Sequence, residues 1–404
     1  MAVTDRIMTR EGPSQIALLA ALTALYAGFG AVLGLIQGGL PPLLMAAGMG
    51  TGAAGLAYGF YMPFGLAFLW APWIDCWRLP LVSRFGARRG WIVATQALTI
   101  LAVAGVALVP GDAIALLIAL GFLAAFSMAT MDLALDGLAV ERIAPQARNW
   151  AAGLKLAALA SGSMFGGGLL VARFADWGRE TSFLVLAALL AVLLLPVLAL
   201  GLPERPAREE SAHASLLRLL RDPESRARLL RLVAICAVIF PASGLNRLML
   251  VAIGVPLGQI GWVVGTLGPA GMIAASALAI PLMNRAGHRR SLLVFGAVSL
   301  AAILLMLWGV ILGDTRPALA GAVVIGGSVG GIFVVYAAMI LGWARGAQPV
   351  TDYAAYYGIG RFIAAVAMLL SAQLARYIDW TWYFAVLALL FVLLMAHFST
   401  KVET

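Results

Sequence analysis

The chain has 404 residues, 63% of them hydrophobic and only 11% charged, with a net charge of +9. A soluble chain carries charge on about a quarter of its residues. The composition therefore excludes a soluble globular protein and points to an all-α membrane protein. Its apolar runs reach about 20 residues, the length of a helix crossing roughly 30 Å of hydrocarbon, and do not alternate as barrel strands would.

Twelve spans are expected, at approximately 16–46, 52–74, 90–109, 113–141, 148–172, 181–202, 230–254, 258–284, 290–312, 317–343, 351–374 and 380–398. The first keeps a polar start and has no small-residue cleavage site, so it reads as a retained span. Pro41 and Pro42 lie near its far end, and Gly30, Gly34 and Gly38 form a doubled Gly-x-x-x-Gly that suits close helix packing. Segment 203–229 is a long polar connection. Its Leu216, Leu219 and Leu220 form an apolar stripe beside arginines, and two readings stand open, a short interfacial helix and a solvated linker. Six spans fall on either side, so the domains read as 1–202, a linker 203–229, and 230–404.

Orientation follows the basic residues. With the N-terminus cytoplasmic, about twenty of the 27 lysines and arginines fall in cytoplasmic segments and about four in outer loops. Both termini are therefore expected inside. The positive charge tracks topology, and nucleic acid is not expected as a partner. Cys76 and Cys236 lie far apart and match no metal spacing or disulfide. No metal site, nucleophile–base pair or ATP-binding motif stands out, so neither an enzyme nor a cofactor is expected.

Charges inside spans are rare and usually face a protein interior or a wet cavity. Asp132 and Asp136 are four residues apart and share a helix face. Lys155 follows on the next span, after a turn with Arg142, Pro145 and Arg148, and the two acids and the lysine are expected to meet across this hairpin. Helical rise puts all three in a cytoplasmic layer, with Asp75, Arg88 and Arg89. Two readings stand open there: a latch that holds one mouth shut, and a proton-coupling carboxylate. A second group falls near mid-membrane. Arg361 is there with Tyr357 one turn before it, and Tyr26, Tyr58, Tyr61, Asn246 and Arg247 fall where a substrate cavity is expected. For Arg361 the competing role is a structural ion pair, for Arg247 outward snorkelling, and for the tyrosines helix packing.

The two halves repeat. Segment 73–90, WIDCWRLPLVSRFGARRG, and segment 282–291, LMNRAGHRRS, each follow the second span of a half. They open on Asp75 or Asn284 and end in Gly-x-Arg-Arg. This resembles the loop signature of the major facilitator superfamily, with an insertion in the first copy. FLWAPWIDCWRLP (68–80), SMATMDLALDGLAVE (127–141) and VTDYAAYYGIGRF (350–362), with Asp352 in its Thr-Asp-Tyr element, resemble the muropeptide-permease and siderophore-importer branch. Met131 stands where that branch has Gln.

The resemblance implies two pseudo-symmetric six-helix bundles and a secondary transporter working by alternating access. It implies a monomeric inner-membrane importer of a metal–siderophore, of the pyochelin type, driven by protons. A muropeptide or other amphipathic anion is the alternative substrate, and drug or siderophore export a third reading. The rival of another class is a membrane enzyme or a transporter-like sensor, and neither the buried catalytic set of the one nor the added soluble domain of the other is visible.

Overall fold

A computed structural model describes residues 15–77, 79, 85–144, 147–200, 221–343 and 349–401. Among them every regular element is helical. Ten helices among the described residues are long and apolar enough to cross a membrane, and the chain is a multi-pass membrane protein. The interfacial helix expected around Leu216 lies outside the described residues.

The helices are α1 (Gln15–Ala46), α2 (Thr51–Leu69), α3 (Ala87–Leu108), α4 (Ile114–Arg142), α5 (Arg148–Met164) and α6 (Leu170–Ala199). Then come α7 (Pro223–Gly244), α8 (Asn246–Ala252), α9 (Gly265–Leu312), α10 (Thr315–Trp343), α11 (Pro349–Leu374) and α12 (Trp380–Lys401). Non-helical glycines break α6 at Gly178 and α9 at Gly287. Both breaks fall where the hydropathy pattern has a turn between successive spans. The polar connection ends sooner than expected, because Asp222 caps α7 by accepting from the Ser225 N–H, with Pro223 in the first turn.

The loop repeat has a conformational counterpart. Gly86 of the first Gly-x-Arg-Arg has φ 79° and ψ 177°, and Gly287 of the second has φ 78° and ψ 167°. A side chain strains such a backbone, so each copy needs glycine just before its arginines.

Among the described residues three π-helical turns interrupt the spans: Leu35–Gly39 within α1, Phe165–Leu169 between α5 and α6, and Ile260–Val264 before α9. Such turns widen the helix and disturb its ladder of hydrogen bonds, and they recur at functional sites.

The chain forms two compact units. The first holds Met1–Gly34, Ala67–Gly166 and Arg173–Ser211; the second holds Leu35–Leu66, Gly167–Ala172 and Ala212–Thr404. The boundary cuts α1 at its π turn, so segments of the first sequence half belong to the second unit.

In the first unit α1 and α5 meet backbone to backbone. A Cβ at Gly30 would lie 2.2 Å from the Leu159 carbonyl oxygen, and one at Gly162 would lie 1.9 Å from that of Ala27. The Gly-x-x-x-Gly pattern thus packs helices, as expected for Gly30 and Gly34, whereas Gly38 meets an arginine. Gln15 ties α1 to the end of α4: its amide donates to the Arg142 carbonyl and accepts from the Ala144 N–H. In the second unit α9 packs on α10, where buried Ser299 donates to Ser328 at 2.8 Å. There α2 lies on α11, and Gln373 Nε2 donates to the Gly52 carbonyl at 2.7 Å.

Candidate functional site

The first unit gathers its charges on the last turns of α4. Lys155 from α5 places Nζ 2.5 Å from Asp136 Oδ1, and the Tyr26 hydroxyl from α1 donates to the same oxygen at 2.5 Å. The Lys155 ammonium also sits 4.6 Å from the centre of the Tyr26 ring, a cation–π contact. Three helices are therefore tied to one carboxylate. Asp132, one turn earlier on the same face, is 5% exposed. One turn later, Arg88 from α3 lies against Gly137, and its Nε donates to Glu141 at 3.1 Å. Arg89 donates to the Leu198 carbonyl at 2.9 Å and lies over the Phe85 ring.

The expected hairpin contact is present between Lys155 and Asp136. Tyr26 belongs to this cluster through its hydroxyl, which donates to Asp136. Glu141 was missed, although it closes the 127–141 motif and stands five residues beyond Asp136. So was Thr130, which receives the Trp70 indole N–H at 3.1 Å. Asp75 lies in the short helix Ala71–Cys76 and Asp352 in the first turn of α11, but their side chains are outside the described ones.

The second unit holds the other expected residues. Tyr58 is fully buried and donates to the Gly244 carbonyl at 2.8 Å. Tyr61 is buried beside Phe64, and Asn246 is buried with no hydrogen-bond partner for Oδ1 among the described residues. Arg361 and Tyr357 lie one turn apart on α11, both half-buried. Arg247 is 9% exposed, and its Nη1 donates to two backbone carbonyls, Gly38 at 2.5 Å and Gly167 at 2.6 Å. Both glycines belong to π turns. Proline at 42 has no N–H to return to Gly38, which is why that carbonyl needs another donor. Arg247 does not snorkel outward; its guanidinium is turned into protein. Among the described residues no group of three His, Cys, Asp or Glu could hold a metal ion.

No family model matches the chain. The backbone is similar to that of the solved nucleoside transporter NupG, with a TM-score of 0.67 over 96% of this chain and 99% of that one, at 13% identity. A structure of a mutant of the same transporter superposes with a TM-score of 0.66 at 12% identity. The chain shares the fold of that nucleoside transporter. In sequence, the anhydromuropeptide permease of Escherichia coli (strain K12) is 30% identical over 254 residues, which are 59% of this chain and 50% of that protein. Putative transporter AmpG 4 of Rickettsia felis is 25% identical over 141 residues, 32% of each chain. The chain spans about half the length of the curated permease it matches. Fold and relatives together are those of transporters.

Proposed function

We propose that this facilitator-fold protein is a secondary transporter of the bacterial inner membrane that carries a muropeptide or a similar amphipathic anion. The observation that carries the substrate class is the 30% identity, over 254 residues, to a protein named anhydromuropeptide permease. The metal–siderophore substrate expected from the sequence has no support from the relatives' names, and the alternative fits them better. The broader scheme is kept: twelve crossings in two halves, 1–202 and 230–404, both termini cytoplasmic, import by alternating access, and a monomer coupled to protons.

In this reading Arg361 meets the anion. A guanidinium binds a carboxylate through two parallel hydrogen bonds, which a lysine cannot copy. Tyr357, one turn away, offers an aromatic face to an apolar part of the substrate. The Asp136 cluster links protons to movement. Protonating Asp136 cancels its charge, loosens Lys155 and Tyr26, and lets α1, α4 and α5 shift against one another.

The test is uptake into proteoliposomes containing this chain alone, with labelled anhydromuropeptide and ferric siderophore in parallel. Accumulation of the muropeptide, abolished by a protonophore, supports the proposal. Uptake of the siderophore alone restores the earlier substrate. Calorimetry then tests Arg361: Arg361→Ala should weaken binding about ten- to hundredfold, the worth of one charge-assisted contact of about 1.5–3 kcal/mol. Equal affinities would remove Arg361 from the site.

A further inference from the structure

The doubly bonded Arg247 has a use that substrate binding does not explain. It lies in the first turn of α8, which starts after a break at Leu245, just beyond Pro241 and Gly244. The guanidinium is buried, and among the described residues no ion pair includes it. A buried cation is costly unless dipoles or charges surround it. Here the compensation is two backbone carbonyls, on segments 129 residues apart in sequence, as the separations of 209 and 80 residues from Arg247 imply. Both segments come from the first sequence half and Arg247 comes from the second.

The third π turn joins the same cluster. A Cβ at Gly265, directly after Ile260–Val264, would lie 2.3 Å from the Gly167 carbonyl oxygen, and one at Gly261 would lie 2.4 Å from the Ala172 nitrogen. The carbonyl that Arg247 holds is thus the one on which the start of α9 rests. No side chain of the first half is needed for recognition. A helix-breaking proline and a π turn present the acceptors, and one arginine reads both.

We propose that Arg247 is the clasp of a gate in the transporter of the preceding section. It holds the π turns at Gly38 and Gly167 against the second half, and it must release both for these segments to part. The inference rests on that transport reading only for the word gate; the clasp itself concerns contacts inside one unit.

The test needs no substrate. Ala54 is fully buried in the first turns of α2, beside the Gly52–Gln373 contact. In a background with Cys76→Ser and Cys236→Ala, Ala54→Cys reports release of segment 35–66 by its rate of maleimide labelling. Ala125→Cys, equally buried on α4 in the other unit, reports general loosening. Arg247→Met should speed labelling at position 54 by about tenfold or more, since each lost charge-assisted hydrogen bond shifts an opening equilibrium by that much. Position 125 should be unchanged. Gly38→Ala attacks the clasp from the other side, because its Cβ would fall 2.5 Å from Arg247 Nη1. It should act in the same direction, and it serves alone where Arg247→Met does not fold. Gly50→Ala, whose Cβ meets nothing within 4 Å, should label as the parent does. Parental labelling at position 54 in folded Gly38→Ala, or faster labelling at both positions, overturns the clasp. Accelerated labelling in a protein that transports no muropeptide sinks the transport reading and leaves the clasp standing.

Discussion

Asp136 is the acceptor through which α1 and α5 are joined to α4, and a double-mutant cycle isolates its pair with Lys155. The single changes are Lys155→Met and Asp136→Asn; the second keeps an oxygen for the Tyr26 hydroxyl. Two unit charges 4 Å apart attract by about 4 kcal/mol at an effective dielectric constant near 20. That gross figure is reduced here, because the Lys155 and Asp136 side chains are 28% and 48% exposed. Exposed pairs are worth about 0.2–1 kcal/mol, and breaking a buried one costs about 3–5 kcal/mol. The geometry places this pair between the two, nearer the exposed end, at about 1–2 kcal/mol of coupling. For a chain of 404 residues that is a Tm change of roughly 1–2 °C. The assay is thermal unfolding of the four proteins in one detergent at fixed ionic strength. A coupling within about 0.3 kcal/mol of zero would refute the argument, since independent sites add to that precision.

Tyr26→Phe removes one hydrogen bond to a charged acceptor and should cost about 1.5 kcal/mol, with the Lys155–Asp136 coupling retained in a repeat of the cycle. Gly162→Ala drives a Cβ into the α1 backbone and should destabilise by about 1–3 kcal/mol or more, whereas Gly153→Ala, with nothing within 4 Å, should stabilise by up to about 1 kcal/mol. Urea or thermal unfolding separates the two signs. The Asp222 cap has its pKa lowered below the usual carboxylate value by the Ser225 hydrogen bonds. Its contribution is therefore complete above the unfolded pKa and lost as pH falls through the lowered folded value. Asp222→Ala should melt below wild type at pH 7, and the two should converge at strongly acidic pH.

What the sequence made legible was charge. Asp132, Asp136 and Lys155 stand out in apolar runs, and a hairpin of two neighbouring helices brings lysine and acid together without long-range information. The Gly-x-Arg-Arg repeat was legible because positive-φ turns demand glycine. Tyr26 was placed correctly in its helix, yet its partner is 110 residues away, and a phenol in an apolar run carries no mark of what it will bond. The partners of Arg247 are backbone carbonyls, which no residue type announces. Only Pro42 hints that the Gly38 carbonyl lacks its helical donor. Gly38 read as a third packing glycine because it keeps the four-residue spacing of Gly30 and Gly34, which do pack.

The long separations also set an order of events during synthesis. Gly38 enters the bilayer 209 residues ahead of Arg247. At about 5–20 residues per second the π turn waits roughly 10–40 s before its donor leaves the ribosome. Through that interval a proline-flanked carbonyl sits near hydrocarbon, where an unmet polar group is costly. The newborn α1 must find a provisional donor, from water in the insertion channel or from a chaperone. A shortage of such shelter should show first as nascent chains stalled or degraded before α8 emerges.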